Sequence, residues 1–192
     1  MRKKKDVFCL WIRVSTYAYK YLIDNYSVQD SNWPELVNIY RDPLLSAELK
    51  RRIAKPCSRY DKRLEKETHA WRKKKIALEI SEDDFYRHGW LLTHTDESYI
   101  ASMIEKKVKA MLMTHLAGMF MVTGNLEKCI DNFYRNFGYS DETWPRNSIR
   151  KIWDRSTLDK TSLSGFIEKK ITSLLMVQLS RIETNAQHKT KS

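Results

Sequence analysis

Phe8, Leu10, Ile12 and Val14 alternate with Cys9, Trp11 and Arg13, the two-residue period of a strand that buries one face. The alternation returns over Lys75–Ser81, with Ile76, Leu78 and Ile80 on one side and Ala77 and Glu79 on the other. Strands this short are marginal alone, so they are expected to pair as a two-stranded ribbon, with strands near 7–14 and 75–81. Elsewhere the period lengthens to that of helices. After a capping Ser15 or Thr16, TYAYKYLIDNY puts its tyrosines and Leu22 on one face. Helices are predicted over Glu35–Tyr40 and Leu44–Ile53, the second stopped before Pro56, and Tyr60, Leu64 and Trp71 would line one more. Ser81 is followed by Glu82, Asp83 and Asp84, which open a short helix with acids in the first turn, where the helix dipole favours them. The longest predicted helix follows a cap at Thr95 or Asp96 and carries Ile100, Ile104, Val108, Leu112 and Leu116 within a broad apolar stripe. A last stripe over Thr161–Ile182 would close the core or form a dimer seam. Residues 184–192 hold no apolar anchor and are expected to be disordered.

Before that last stripe comes Asn125–Arg155, which reads as helix, turn and basic helix. Asn125 can cap the first helix through its side-chain oxygen, and Leu126, Cys129, Ile130, Phe133 and Phe137 share the apolar face of that helix. Gly138 sits where a left-handed closing residue is needed. Ser140 or Asp141 can cap the second helix, with Pro145 in its first turn. There Ile149, Ile152 and Trp153 point one way, and Arg146, Asn147, Arg150, Lys151 and Arg155 point the other. Arginine and asparagine can each make paired hydrogen bonds to base edges in the major groove. The pattern is that of a helix-turn-helix, although Tyr139–Thr143 is longer than its usual three- or four-residue turn. The plain alternative is a surface helix whose basic face is merely solvated.

Composition narrows the fold. Charged residues make up 31%, and five glycines and four prolines are few, which favours helices over a sandwich or barrel. The expected fold is mainly α: a multi-helix domain with the small ribbon and a C-terminal helix-turn-helix-like pair. The chain is expected to divide into a strand/helix region over 1–95, a helical region over 96–183 and the tail 184–192. Charge changes the picture more. Of the net +11, residues 50–75 carry +9, twelve Lys or Arg against Asp61, Glu65 and Glu67, and the rest is nearly balanced. A concentrated positive segment is the footprint of a polyanion binder, because neutralised phosphates release condensed counterions. The candidate phosphate contacts are Lys50, Arg51, Arg52, Arg59, Lys62, Arg63, Arg72, Lys73 and Lys74. A membrane surface fits less well, since the segment lacks a continuous apolar face. The longest apolar stretch, Met111–Val122, is too short to span a bilayer.

Candidate chemistry adds little. Cys9, Cys57 and Cys129 have neither metal-ligand nor redox spacing and read as thiols in a reducing cytoplasm. His115 on the long apolar stripe reads as a hydrogen-bonded core residue. The Glu82–Asp84 acids near Lys73–Lys75 resemble part of a magnesium nuclease site, but capping accounts for them. No catalytic residue, metal or cofactor is assigned. A ribbon-helix-helix plan would also suit Lys75–Ser81 and the two helices after it, yet Cys9, Trp11 and Glu79 are poor choices for facing phosphates. The expectation is a cytoplasmic, non-enzymatic DNA-binding protein, regulatory or accessory, with duplex DNA favoured, no membrane partner and a homodimer allowed. The alternatives are an RNA or single-strand binder, with Trp11 and Trp71 stacking on unpaired bases, and a helical structural or interaction protein whose charge is incidental.

Overall fold

The computed structural model describes residues 8–28, 34–55 and 72–158. The helices predicted through Tyr60–Trp71 and Thr161–Ile182, the tail, and the candidate contacts Arg59, Lys62 and Arg63 lie outside the described residues. The described part is mainly helical with a small sheet. It forms two compact units: the chain up to Thr114 together with Gly138–Trp144, and His115–Phe137 together with the chain from Pro145.

In the first unit, β1 (Phe8–Val14), β2 (Leu36–Val37) and β3 (Lys74–Ile80) form a three-stranded sheet in the order β1-β3-β2. β1 and β3 pair antiparallel as the alternation predicts, with Phe8 opposite Ile80 and Val14 opposite Lys74. Leu10, Ile12, Val14, Ile76, Leu78 and Ile80 are all buried. The two-stranded ribbon is corrected by β2, which runs parallel to β3 with Leu36 opposite Ala77. The helix predicted over Glu35–Tyr40 is therefore absent; Ile39–Arg41 makes only one 3-10 turn. Backbone pairing explains the difference. The Ala77 amide donates to the Glu35 carbonyl at 3.0 Å, the Val28 amide to Leu36 at 3.2 Å, and the Asn38 amide to Tyr26 at 2.7 Å. These groups are thereby taken from any i→i−4 ladder.

Helix α1 (Thr16–Tyr26) buries Ala18, Tyr21, Leu22 and Tyr26, and Ser15 starts it without a side-chain cap bond. α2 (Pro43–Arg52) has proline in its first turn, and the Asp42 carboxylate accepts from the Leu44 and Leu45 amides. α3 (Glu82–His88) is capped by Ser81, whose hydroxyl accepts from the Asp84 amide. α4 (His94–Thr123) begins one residue before the predicted caps: Thr93 Oγ1 accepts from the Asp96 amide, which places Asp96 inside the first turn. Ile100, Ile104, Val108 and Leu112 recur every fourth residue and are fully enclosed. Gly138–Trp144 joins this unit through aromatic packing. Trp144 is 1% exposed and stacks on Tyr17 with ring centroids 4.2 Å apart, and the Tyr139 hydroxyl donates to the Tyr17 carbonyl.

Asp42 ties α1, α2 and α4 together. Besides capping α2, its buried carboxylate accepts from the Tyr26 hydroxyl and from Lys107. Burial alone would raise its pKa. The hydrogen bonds from Lys107, the Leu45 amide and Tyr26, with the attraction of the Lys107 charge, outweigh that and hold it below its ordinary value. A depressed folded pKa gives stability that is fully present above the unfolded value of about 3.9 and is lost as pH falls through the folded one. Asp42→Asn keeps a competent cap but loses the charge, so it should cost about 1–2 kcal/mol at neutral pH. Denaturation midpoints followed from pH 7 into acid should converge for the two proteins. A constant gap between them would show that the charge contributes nothing.

In the second unit, α5 (Leu126–Phe137) and α6 (Arg146–Leu158) accompany the last turns of α4. Cys129, Ile130, Phe133, Ile149 and Trp153 are buried, with Phe120 5.3 Å from Trp153 between ring centroids. His115 is the hydrogen-bonded residue its setting suggests, with Nε2 3.0 Å from Asn132 Oδ1 and the ring against Phe133 and Phe137. The Asn125 side chain caps α5 by accepting from the Lys128 amide, and Gly138 takes the left-handed φ of +63°. Ser140 and Asp141 do not cap α6. Ser140 instead closes its own turn, accepting from the Thr143 and Trp144 amides, and α6 starts where Ser148 and Ile149 donate to the Pro145 carbonyl.

Candidate nucleic-acid interface

The described ends of the basic segment lie in the first unit. Lys50, Arg51 and Arg52 form the last turn of α2, where cations suit the helix dipole. Lys50 Nζ is 3.0 Å from Asp84 and lies over the Tyr40 ring. Arg51 pairs with Glu48 at 3.0 Å, with its side chain 75% exposed. Arg52 donates to Asp96 at 2.8 Å and to Glu48 at 3.4 Å, with its guanidinium 3.5 Å above the Tyr99 ring. Burial opposes the charge on Arg52, but the hydrogen bond and charge of Asp96, with Glu48 and Tyr99, outweigh it and raise its pKa.

At the other end, Arg72 is enclosed. Its guanidinium donates to Ser102 at 2.8 Å and to Glu105 at 3.3 Å, and both side chains of the ion pair are only 5% exposed. Lys73 and Lys74 follow on the surface, Lys74 over the Tyr19 ring. Asp96, Tyr99, Ser102 and Glu105 recur every third residue along one side of α4, so a single helix grips an arginine at each end of the segment. The segment's start is also pinned: Trp90 and Leu91 amides donate to the Ala54 carbonyl, and the Ala54 amide to Leu91. Arg51, Lys73 and Lys74 lie at the surface and Lys50 is half-exposed beside Asp84, whereas Arg52 and Arg72 are tied to α4. The clasp on α4 is not evident in the sequence, where Asp96 reads as a cap; the three-residue spacing of its polar groups is the available signal.

In the second unit, α6 does present Asn147, Arg150, Lys151 and Arg155 outward, with Arg146 half-buried. Two of the five are engaged by α5. Arg146 reaches Asp131 at 2.6 Å and Glu127 at 3.7 Å and lies over the Tyr134 ring. Arg150 donates to Glu127 at 2.7 Å and to the Asn147 side-chain oxygen at 3.1 Å. The hydrogen bond from Arg150, with the charges of Arg150 and Arg146, holds the Glu127 carboxyl below its ordinary range. These guanidinium donors are the ones a guanine edge would need. Lys151 and Arg155 remain at the surface.

Among the described residues, no group of three or more His, Cys, Asp or Glu is placed to share a metal ion, and no helix is long and apolar enough to cross a membrane. The chain matches no family model, no curated protein and no solved structure.

Proposed function

We propose that this protein binds nucleic acid, with duplex DNA as the favoured partner, and acts by binding rather than by catalysis. The observation that carries the reading is the concentration of +9 in residues 50–75 of a chain whose net charge is +11. Lys50, Arg51, Lys73 and Lys74 contact phosphates at the two ends of that segment, which Arg52 and Arg72 anchor to α4. In the second unit, α6 lies along the duplex with Asn147, Lys151 and Arg155 outward, and Arg146 and Arg150 orient it through α5. Such binding weakens linearly in log–log form with salt, with a slope of about −0.9 per phosphate neutralised.

Titration of a mixed-sequence duplex across a salt series tests the reading. A steep slope supports it, and no binding at low salt overturns it. The part played by α6 has its own test. Glu127→Gln with Asp131→Asn removes the two α5 carboxylates that face Arg146 and Arg150, and raises the charge beside α6 by two. Duplex affinity should rise about tenfold at moderate salt, and the slope should steepen by about 2. An unchanged affinity and slope would remove α6 from the interface.

A further inference from the structure

Four aromatic rings meet around α3. Phe85 packs on Phe8 with ring centroids 4.3 Å apart, on Tyr86 at 5.3 Å and on Trp90 at 4.8 Å. The Trp90 indole lies nearly parallel to Phe85, with 15° between the planes, so one of its faces is covered. It is nevertheless 43% exposed, which leaves the other face to solvent, and Tyr86 is 61% exposed. Grouped aromatic surface of this kind marks an interaction site more often than an isolated exposed side chain does. Charge is divided across the cluster. The exposed acids Glu82 and Asp83 open α3, and Asp83 is paired with Arg87 at 3.3 Å. Trp90 lies past the other end of α3, against the start of the basic segment. Its amide donates to the Ala54 carbonyl, and the Lys55 nitrogen lies 2.4 Å from the position of a Cβ on Gly89. Lys55 is exposed, and no carboxylate among the described residues pairs with it. Residues 50–55 hold Lys50, Arg51, Arg52 and Lys55 and no acid.

We infer that Trp90 is a seat for an unpaired nucleobase, which stacks on the open face of the indole while the adjoining phosphate meets Lys55. The inference rests on the nucleic-acid reading above and adds a single-strand contact at the start of the basic segment. Duplex bases already have both faces stacked, so the indole meets a free base face only where strands are apart. Stacking tolerates any base, because each has a π-face. Phe85 behind the indole fixes the plane of the ring in advance, so little side-chain freedom is lost when a base arrives. Tyr86 is the more exposed ring, but it follows the acids of α3, which repel phosphates; the cations favour Trp90.

The test uses the full chain and three labelled probes of equal length: a dT oligomer, an rU oligomer and a mixed-sequence duplex. Trp90→Ala should weaken oligomer binding about 5- to 100-fold and leave the duplex within about twofold. Trp90→Phe, which keeps a π-face, should retain most of the affinity. Tyr86→Ala thins the same cluster on its acidic side and should leave every probe within about twofold. Lys55→Ala should flatten the salt slope on dT by about 0.7. Comparing dT with rU distinguishes DNA from RNA as the source of the strand, since only the sugar and a ring methyl differ. Folded Trp90→Ala that binds the oligomers like wild type overturns the seat, as does an equal loss on oligomers and duplex, or wild type that binds duplex but neither oligomer. The nucleic-acid reading survives all three. Wild type that binds no probe at low salt overturns both. Circular dichroism of each variant separates loss of contact from loss of fold, and Trp90→Phe keeps the seat testable if Trp90→Ala does not fold.

Discussion

Glu105→Ala is expected to lose about 3–5 kcal/mol of stability, because it leaves the enclosed Arg72 guanidinium without its carboxylate. Taking an ion out of water is costly, and Glu105 at 3.3 Å and Ser102 at 2.8 Å contribute to the compensation at Arg72. With both side chains 5% exposed, solvent cannot replace the lost partner without opening the unit. The pair itself need not favour the fold, since buried pairs are often replaceable by apolar groups of similar size. Arg72→Met combined with Glu105→Leu should therefore recover most of the loss. Recovery should stop short by about 1 kcal/mol, because Glu105 Oε1 also accepts from the Ser15 amide, which the double variant leaves unsatisfied. Urea denaturation of wild type, both single variants and the double variant closes the cycle. A cost below about 1 kcal/mol for Glu105→Ala would mean that water reaches Arg72 and that α4 does not fasten the exit of the basic segment. Because Lys73 and Lys74 follow directly, a loosened Arg72 should also reduce affinity for duplex in protein that is still folded.

Local patterning made the elements with a clear period legible. The alternations of Phe8–Val14 and Ile76–Ile80 settled both long strands, and the fourfold recurrence from Ile100 to Leu112 settled the side of α4 that is buried. β2 was not legible, because two residues hold no period and their partner, Ala77–Leu78, lies far along the chain. Trp144 shows the same limit. Nothing in its local sequence names a partner, whereas its burial comes from stacking on Tyr17 in a helix far along the chain. The charges of α6 could be assigned to a face from spacing alone. Their partners could not, because Glu127 and Asp131 stand on another helix and their approach depends on how α5 and α6 pack. For the same reason, Arg52 and Arg72 counted towards a phosphate-binding surface until α4 supplied Asp96 and Glu105. Sequence thus located the positive charge but could not say which cations are spent inside the protein.

Gly89→Ala should be as damaging as loss of Glu105, for a backbone reason. Gly89 closes α3, donating its amide to the Phe85 carbonyl, with φ 105° and ψ −165°. That region is essentially glycine's alone, and another residue held there costs about 1–3 kcal/mol. Space is the second obstacle. A Cβ at Gly89 would stand 2.3 Å from the Ala54 carbonyl carbon and oxygen and 2.4 Å from the Lys55 nitrogen. These are backbone atoms that no rotamer change can move aside. Relief requires Ala54 to retreat, which breaks the hydrogen bonds linking it to Trp90 and Leu91. Overpacking adds about 1–3 kcal/mol, so a total near 3–5 kcal/mol is expected. Gly118→Ala is the internal control: it lies within α4, with nothing within 4 Å of a new Cβ, and should be neutral or stabilising by up to about 1 kcal/mol. Denaturation midpoints compare the two variants, and amide exchange at Ala54 and Leu91 locates the damage. Similar midpoints for Gly89→Ala and Gly118→Ala would dismiss the close approach. A large loss with fast exchange at Ala54 would establish that this contact fixes the start of the basic segment. Glu105 at one end and Gly89 at the other then serve one purpose, fixing the described ends of the basic segment.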